Sequence, residues 1–179
     1  MARRAMADAT DMKAGGDGLM EDQVRYSLEE AHEQFARQFN GRVWALLEKE
    51  ERSPEEDEEM LLAQSASLYH WRHVGTVVHE QRGQWMFSHL YTVLEDPDRA
   101  LRHASRCIEI TQANRSQMAD FDIAYAHEAM ARALALNGRA DKAKEHFEQA
   151  AKAGEAISDP EDREIFLGDF GAGRWYGIG

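Results

Sequence analysis

All three prolines of this 179-residue chain stand directly behind a helix-capping residue, in Ser53-Pro54-Glu55-Glu56, Asp96-Pro97 and Ser158-Asp159-Pro160-Glu161. A serine or aspartate side chain accepts from the free N–H groups of a first helical turn, and proline has no N–H to leave unpaired there. Inside an element proline would break it. A chain that confines proline to these positions is punctuated as a succession of helices. In the first signal Glu56 can reach back to Ser53 and close a capping box. The acidic run Glu55-Glu56-Asp57-Glu58-Glu59 then lies at the positive end of the helix dipole. A basic partner could dock there, but a solvated, dipole-matched first turn is the simpler reading.

The remaining sequence agrees with an all-α class of six or seven helices. Alanine, leucine, glutamate and arginine are strong helix formers, and alternating Val-, Ile- and Thr-rich runs are absent. Apolar spacing predicts a first helix over about 21–52, with Val24, Leu28, Ala31, Phe35, Phe39, Val43 and Leu46 on one face and a kink or break at Asn40-Gly41. A second runs from Pro54 to about Arg82, with Leu62, Ala66, Tyr69, His73 and Val77 as its buried stripe, and ends at Gly83. Further helices are expected over about 84–94, 97–113, from Asp120 (as cap) to Asn137-Gly138, over 140–153, and in a short segment after Pro160. The organisation expected is one domain over 21–170, a flexible tail over 1–20 (Met20 is an alternative start), and a mobile glycine-rich tail over 171–179. Trp175 and Tyr176 of that tail either dock in a groove or rest on the core.

Charge narrows the partners. The formal net charge is −12, which opposes nonspecific binding to nucleic acid or to an anionic membrane. Cys107 is the single cysteine and cannot close an internal disulfide, which fits a cytoplasmic protein. No apolar run reaches the length of a membrane span, and the N-terminus has no signal-type apolar region.

Chemistry-bearing patterns are few. In Ser67-Leu-Tyr-His-Trp-Arg-His-Val-Gly-Thr76, His70 and His73 are three residues apart and share a helical face, so both imidazoles can reach one ion. A site would need another ligand from a second helix. His103 with Cys107 is a second close pair, and Glu29 with His32 forms one Glu-x-x-His. A carboxylate-bridged di-metal bundle needs two such motifs, and only one is present. The stretch therefore reads mainly as an interhelix seam, with no metal and no cofactor expected, and with Gly75 permitting close approach of a neighbour. Cys107 reads as a buried, inert thiol. No phosphate-binding glycine loop and no nucleophile elbow occur.

The segment HEAMARALALNGRADKAKEHFEQAAKAG (127–154) resembles a tetratricopeptide repeat, with Ala131 and Leu134 before the turn at Gly138, and Ala143, Phe147 and Ala150 after it. An earlier unit overlays it at an offset of 43 residues, placing Ser88, Tyr91, Ala100, Ala104 and Cys107 on those five positions. It has Asp96-Pro97 where the later unit has glycine. The chain is also similar to small bacterial all-helical proteins. The resemblance covers about half the chain and implies stacked helix pairs with a concave, exposed face that binds a protein or peptide segment. On that register the groove residues are Trp85, His89, Tyr125, Glu128 and Arg132. The opposing reading makes Trp85 and Tyr125 core residues under the first two helices. The function expected is a non-catalytic binding module of adaptor or scaffold type. The alternatives are a small-ligand or metal-binding protein centred on His70 and His73, in one version an enzyme, and a homodimer formed through the first helix.

Overall fold

The computed structural model describes residues 25–178. The described residues are helical with no strand, in seven α-helices: α1 Leu28–Leu47, α2 Pro54–Val74, α3 Val77–Val93, α4 Pro97–Ala113, α5 Asp120–Leu136, α6 Ala140–Glu155 and α7 Pro160–Ala172. None of them is long and apolar enough to cross a membrane. The expected tail over 1–20 lies outside the described residues. The helices group as two compact units divided between Gly75 and Thr76, where the sequence reading treats 21–170 as one domain.

The starts follow the caps. Ser27 opens α1 and Ser53 opens α2, each exchanging two hydrogen bonds with the glutamate three residues on, Glu30 and Glu56. Asp96 accepts from the Arg99 N–H at α4, and Asp159 from the Glu161 and Asp162 N–H groups at α7. Helix α5 departs from expectation. Ala119 is its N-cap, and the Asp122 carboxylate accepts from the Ala119 N–H. Asp120 instead accepts from the Ser158 N–H at 3.2 Å and hydroxyl at 2.7 Å, tying the α6–α7 turn to the start of α5. Helix α5 stops as expected at Asn137-Gly138, where Gly138 takes φ +74, a conformation glycine adopts without a Cβ penalty.

The first unit is the hairpin of α1 and α2. Three expectations for it fail. Helix α1 runs through Asn40-Gly41 without a break, because a helix tolerates glycine at a cost of only about 1 kcal/mol. Helix α2 ends at Val74 rather than near Arg82: the Gly75 N–H closes on the Trp71 carbonyl at 2.6 Å as C-cap, and Gly83 lies inside α3. The buried stripes are also rotated. Ala36, Asn40, Val43 and Leu46 are buried on α1, and Met60, Ala63, Gln64, Ser67 and Leu68 on α2. Leu28, Phe35, Leu62 and Tyr69, all expected inside, are 45–76% exposed. Val43, Leu46, Met60 and Leu68 share the seam with small and polar residues, and at Ser67 the backbones come close: its hydroxyl donates to the Ala36 carbonyl at 2.8 Å.

The second unit holds α3 to α7. Short turns fold α4 back along α3 and α6 back along α5, and α5 packs against α3, α4, α6 and α7. Its central place explains its composition: thirteen of its seventeen residues are buried, seven of them alanine or leucine. Alanine lets helix axes approach on every side at no side-chain entropy cost. Residues 173–178 continue from α7 across the ends of α3 and α5 and are packed against them.

Candidate functional site

The five residues assigned to a groove come together in the second unit, on α3 and α5. Trp85 and His89 are one turn apart on α3 and stack at 5.3 Å with an interplanar angle of 8°. Tyr125 meets Trp85 edge-on at 5.3 Å. Glu128 and Arg132, one turn apart on α5, form an ion pair, and the Trp85 indole N–H donates to Glu128 at 3.4 Å. The expected exposure is not found. Trp85, Tyr125, Glu128 and Arg132 are each 5–6% exposed.

What covers them is the C-terminal part of the chain. Phe166 of α7 packs edge-on against Tyr125 at 4.9 Å, and the Tyr125 hydroxyl donates to Asp169 at 2.6 Å. Arg132 reaches further. Its guanidinium donates to the main-chain carbonyl of Arg174 at 2.9 Å and to that of Asp169 at 3.2 Å, and lies over the Trp175 ring at 4.0 Å. Trp175 packs edge-on against Phe147 and Phe170, which also touch each other, and its N–H donates to the Phe170 carbonyl at 3.2 Å. The Tyr176 hydroxyl donates to the Thr92 carbonyl at 3.1 Å, and Arg174 pairs with Glu95 at 3.0 Å. Gly173 passes so close to Arg132 that a Cβ there would overlap the guanidinium. The tail expected to be mobile is thus docked on the groove residues, one of the two dockings its aromatics suggest.

The electrostatics follow from burial. Burial and the Asp169 carboxylate push the Tyr125 phenol well above its usual range and keep it protonated. Burial holds His89 below the usual histidine value, with Arg132 adding to the effect and Glu128 opposing it. Glu128 fixes the Arg132 fork, which then presents donors to carbonyls. The arrangement suits holding a length of main chain with an aromatic ring at its end.

In the first unit, the stretch around His70 does form part of the helix seam. There His32 of α1 joins His70 and His73 of α2. The Nδ1 atoms of His32 and His70 share a hydrogen bond at 2.8 Å, and His32 stacks on His73 at 4.3 Å. Phe35, Phe39 and Tyr69 surround His70. Among the described residues no group of three His, Cys, Asp or Glu side chains could hold a metal ion. His103 turns to Gln84, at 2.8 Å, and to the rings of Phe87 and Tyr91. Cys107 is fully buried, and burial pushes its thiol far up, which fits the inert reading.

Sequence spacing reports neighbours on one helix and is silent across helices. It therefore missed Asp169 as partner of Tyr125, the carbonyls held by Arg132, His32 as third member beside His70 and His73, and the His127–His146 pair at 3.0 Å between α5 and α6. The aromatic pair Trp175-Tyr176 was the available signal for the docked tail. Comparison of the chain with protein-family models, curated proteins and solved structures finds no match.

Proposed function

We propose that the chain is a non-catalytic, tetratricopeptide-like binding module, and that Trp85, His89, Tyr125, Glu128 and Arg132 take an extended segment of a protein or peptide partner. The observation that carries this reading is how Arg132 is used. A buried arginine fixed by Glu128 donates to two main-chain carbonyls and covers an aromatic ring. Those contacts read backbone and one ring, and another segment of the same shape can make them. The chain's own residues 169–176 stand in that place, so a partner displaces them.

The repeat reading has its own support. At the offset of 43 residues, Ser88 and Ala131, Ala100 and Ala143, and Cys107 and Ala150 are all fully buried. At these three repeat positions small residues stand where paired helices meet, as the resemblance implies, and α7 lies against the second pair as a closing helix. The turns of the two pairs close alike, with Glu95 at φ 55 where the second pair has Gly138 at φ 74, and with matching main-chain hydrogen bonds from Asp96 to Tyr91 and from Arg139 to Leu134.

The test uses a labelled peptide with the sequence of residues 169–179 and the full chain carrying Trp175→Ala, which loosens the tail. Fluorescence anisotropy is expected to show saturable binding to this variant, weaker binding to the unaltered chain, and none once Arg132→Met is added. A Trp175→Ala chain that keeps its helical circular dichroism and binds no peptide overturns the reading.

A further inference from the structure

We propose that the segment the groove takes from a partner protein carries the pattern Arg-Trp-Tyr, with a phenylalanine five positions before the tryptophan. The proposal rests on the groove reading above and names the partner's chemistry, which main-chain contacts alone leave open.

The chain's own residues 169–176, Asp-Phe-Gly-Ala-Gly-Arg-Trp-Tyr, supply the pattern because they occupy the groove. Their contacts are of two kinds. Arg132 donates to the carbonyls of Asp169 and Arg174, and any residue offers a carbonyl. The other contacts belong to particular side chains. Trp175 lies under the Arg132 guanidinium at 4.0 Å and edge-on to Phe147 of α6 at 4.6 Å. Attraction between a cation and a ring face is strongest for tryptophan. Phe170 completes the aromatic cluster, 4.7 Å from Phe147 and 4.8 Å from Trp175. The Tyr176 hydroxyl donates to the Thr92 carbonyl of α3 at 3.1 Å, a bond phenylalanine cannot make.

The backbone carries the same message. The segment leaves α7 at Gly173, which is extended at φ −83 and ψ 159. It then closes a turn in which the Ile178 N–H donates to the Trp175 carbonyl at 3.1 Å. Within that turn Tyr176 takes φ 46, a conformation bulky side chains rarely adopt. Such strain persists where the surroundings impose it, and the Thr92 carbonyl holds this tyrosine by its hydroxyl.

Charge sets the sign of the remaining position. Arg174 pairs with Glu95, just past the end of α3, at 3.0 Å, and the two side chains are 76% and 60% exposed. A pair this exposed adds little affinity, but it selects a basic residue over an acidic one. The net charge of −12 favours the same choice.

The experiment varies the segment and leaves the groove intact. The full chain carrying Trp175→Ala is titrated by fluorescence anisotropy with four labelled peptides: residues 169–179 unaltered, and the same peptide with Trp175→Ala, Tyr176→Phe or Arg174→Glu. Loss of the tryptophan is expected to weaken binding about thirtyfold or more, as loss of a central aromatic anchor does. Loss of the tyrosine hydroxyl is expected to weaken it about two- to tenfold, the effect of one hydrogen bond. The Arg174→Glu peptide is expected to bind severalfold more weakly at low salt and to recover when the chain also carries Glu95→Lys. Circular dichroism checks that this exposed substitution leaves the helices unchanged. Equal binding of the four peptides, or an Arg174→Glu peptide that Glu95→Lys does not restore, overturns the pattern and leaves the main-chain reading of the groove in place. Binding of none of the four overturns both.

Discussion

The same ion pair occurs in both units and has a different standing in each. Arg37–Glu33 on α1 and Arg132–Glu128 on α5 are both one helical turn apart. The first pair's side chains are 38% and 49% exposed, the second's 8% and 7%. A two-helix hairpin has one seam, so an arginine on its outer face stays in water. A central helix packed by four others has no outer face, so its charges are closed in and must be satisfied by the protein. Burial, rather than pairing, makes Arg132 consequential. It also explains why, among the described residues, five of the seven large hydrophobics that stay exposed, Tyr26, Leu28, Phe35, Leu62 and Tyr69, belong to the first unit.

The sharpest way to break this comparison is to remove both arginines in turn. Arg132→Ala leaves Glu128 buried without its cation and strips two main-chain carbonyls of their donor. A loss of about 3–5 kcal/mol is expected in urea unfolding. Arg132→Met combined with Glu128→Gln should recover part of it, because a neutral pair no longer strands a charge. Arg37→Ala should cost about 0.3–0.5 kcal/mol. Equal losses from Arg37→Ala and Arg132→Ala would end the argument from burial.

Next in size is Gly173→Ala. The added methyl would stand inside the Arg132 guanidinium, so either Arg132 or the tail must move. Overpacking of this kind costs about 1–3 kcal/mol. The expected signature is faster amide hydrogen exchange over residues 173–178 and altered Trp175 fluorescence, with the hairpin unaffected. An unchanged tail would mean that Arg132 yields and does not hold the segment.

The two units also differ in how far they could be read from the sequence. Pro97–Ala113 is matched to the residue, and the stops near Asn137-Gly138 and the start at Pro160 hold, because each boundary carries a cap that acts within a few residues. The hairpin was misread at Asn40-Gly41, where glycine alone does not stop a helix. It was misread again at Gly75-Thr76, where the break depends on Thr76 starting α3 with its N–H donating to His79 at 3.0 Å. The stripes failed for a further reason. Periodicity ranks Leu62 and Tyr69 as core, but the face turned to α1 carries Met60, Ala63, Gln64, Ser67 and Leu68 instead. At the candidate site, the repeat resemblance names five residues that lie side by side on α3 and α5. Their burial depends on residues about forty positions away, such as Asp169 and Arg174, and no local pattern encodes that.

A third expectation concerns pH. Burial, followed by the neighbouring His146, lowers His127 from 6.5 to about 4. The folded protein then binds fewer protons than the unfolded chain between those values, so stability rises with pH across that window and is lost as pH falls from about 6.5 to about 4. The pair titrates together, because burial lowers His146 as well. Melting temperature followed from pH 7 to pH 4 should fall less steeply in His127→Gln. A variant that melts with an unchanged pH slope would place the acid sensitivity elsewhere.

The smallest effect belongs to the hairpin's outer face. Leu62 is 69% exposed and Tyr69 59%, so Leu62→Gln and Tyr69→Ser remove little area that folding had hidden from water. Each is expected to change stability by no more than about 0.5 kcal/mol. Their periodicity would have led one to expect the several-kcal/mol loss of a core truncation. These variants, with Leu28→Ser and Phe35→Ser, also examine what the face is for. If α1 joins a second copy through this face, the four variants lower the mass seen in light scattering while each chain stays folded. A stability loss of several kcal/mol without change of mass would show the face to be covered within the chain, and the contrast between an open hairpin and a closed five-helix unit would fail at its open end.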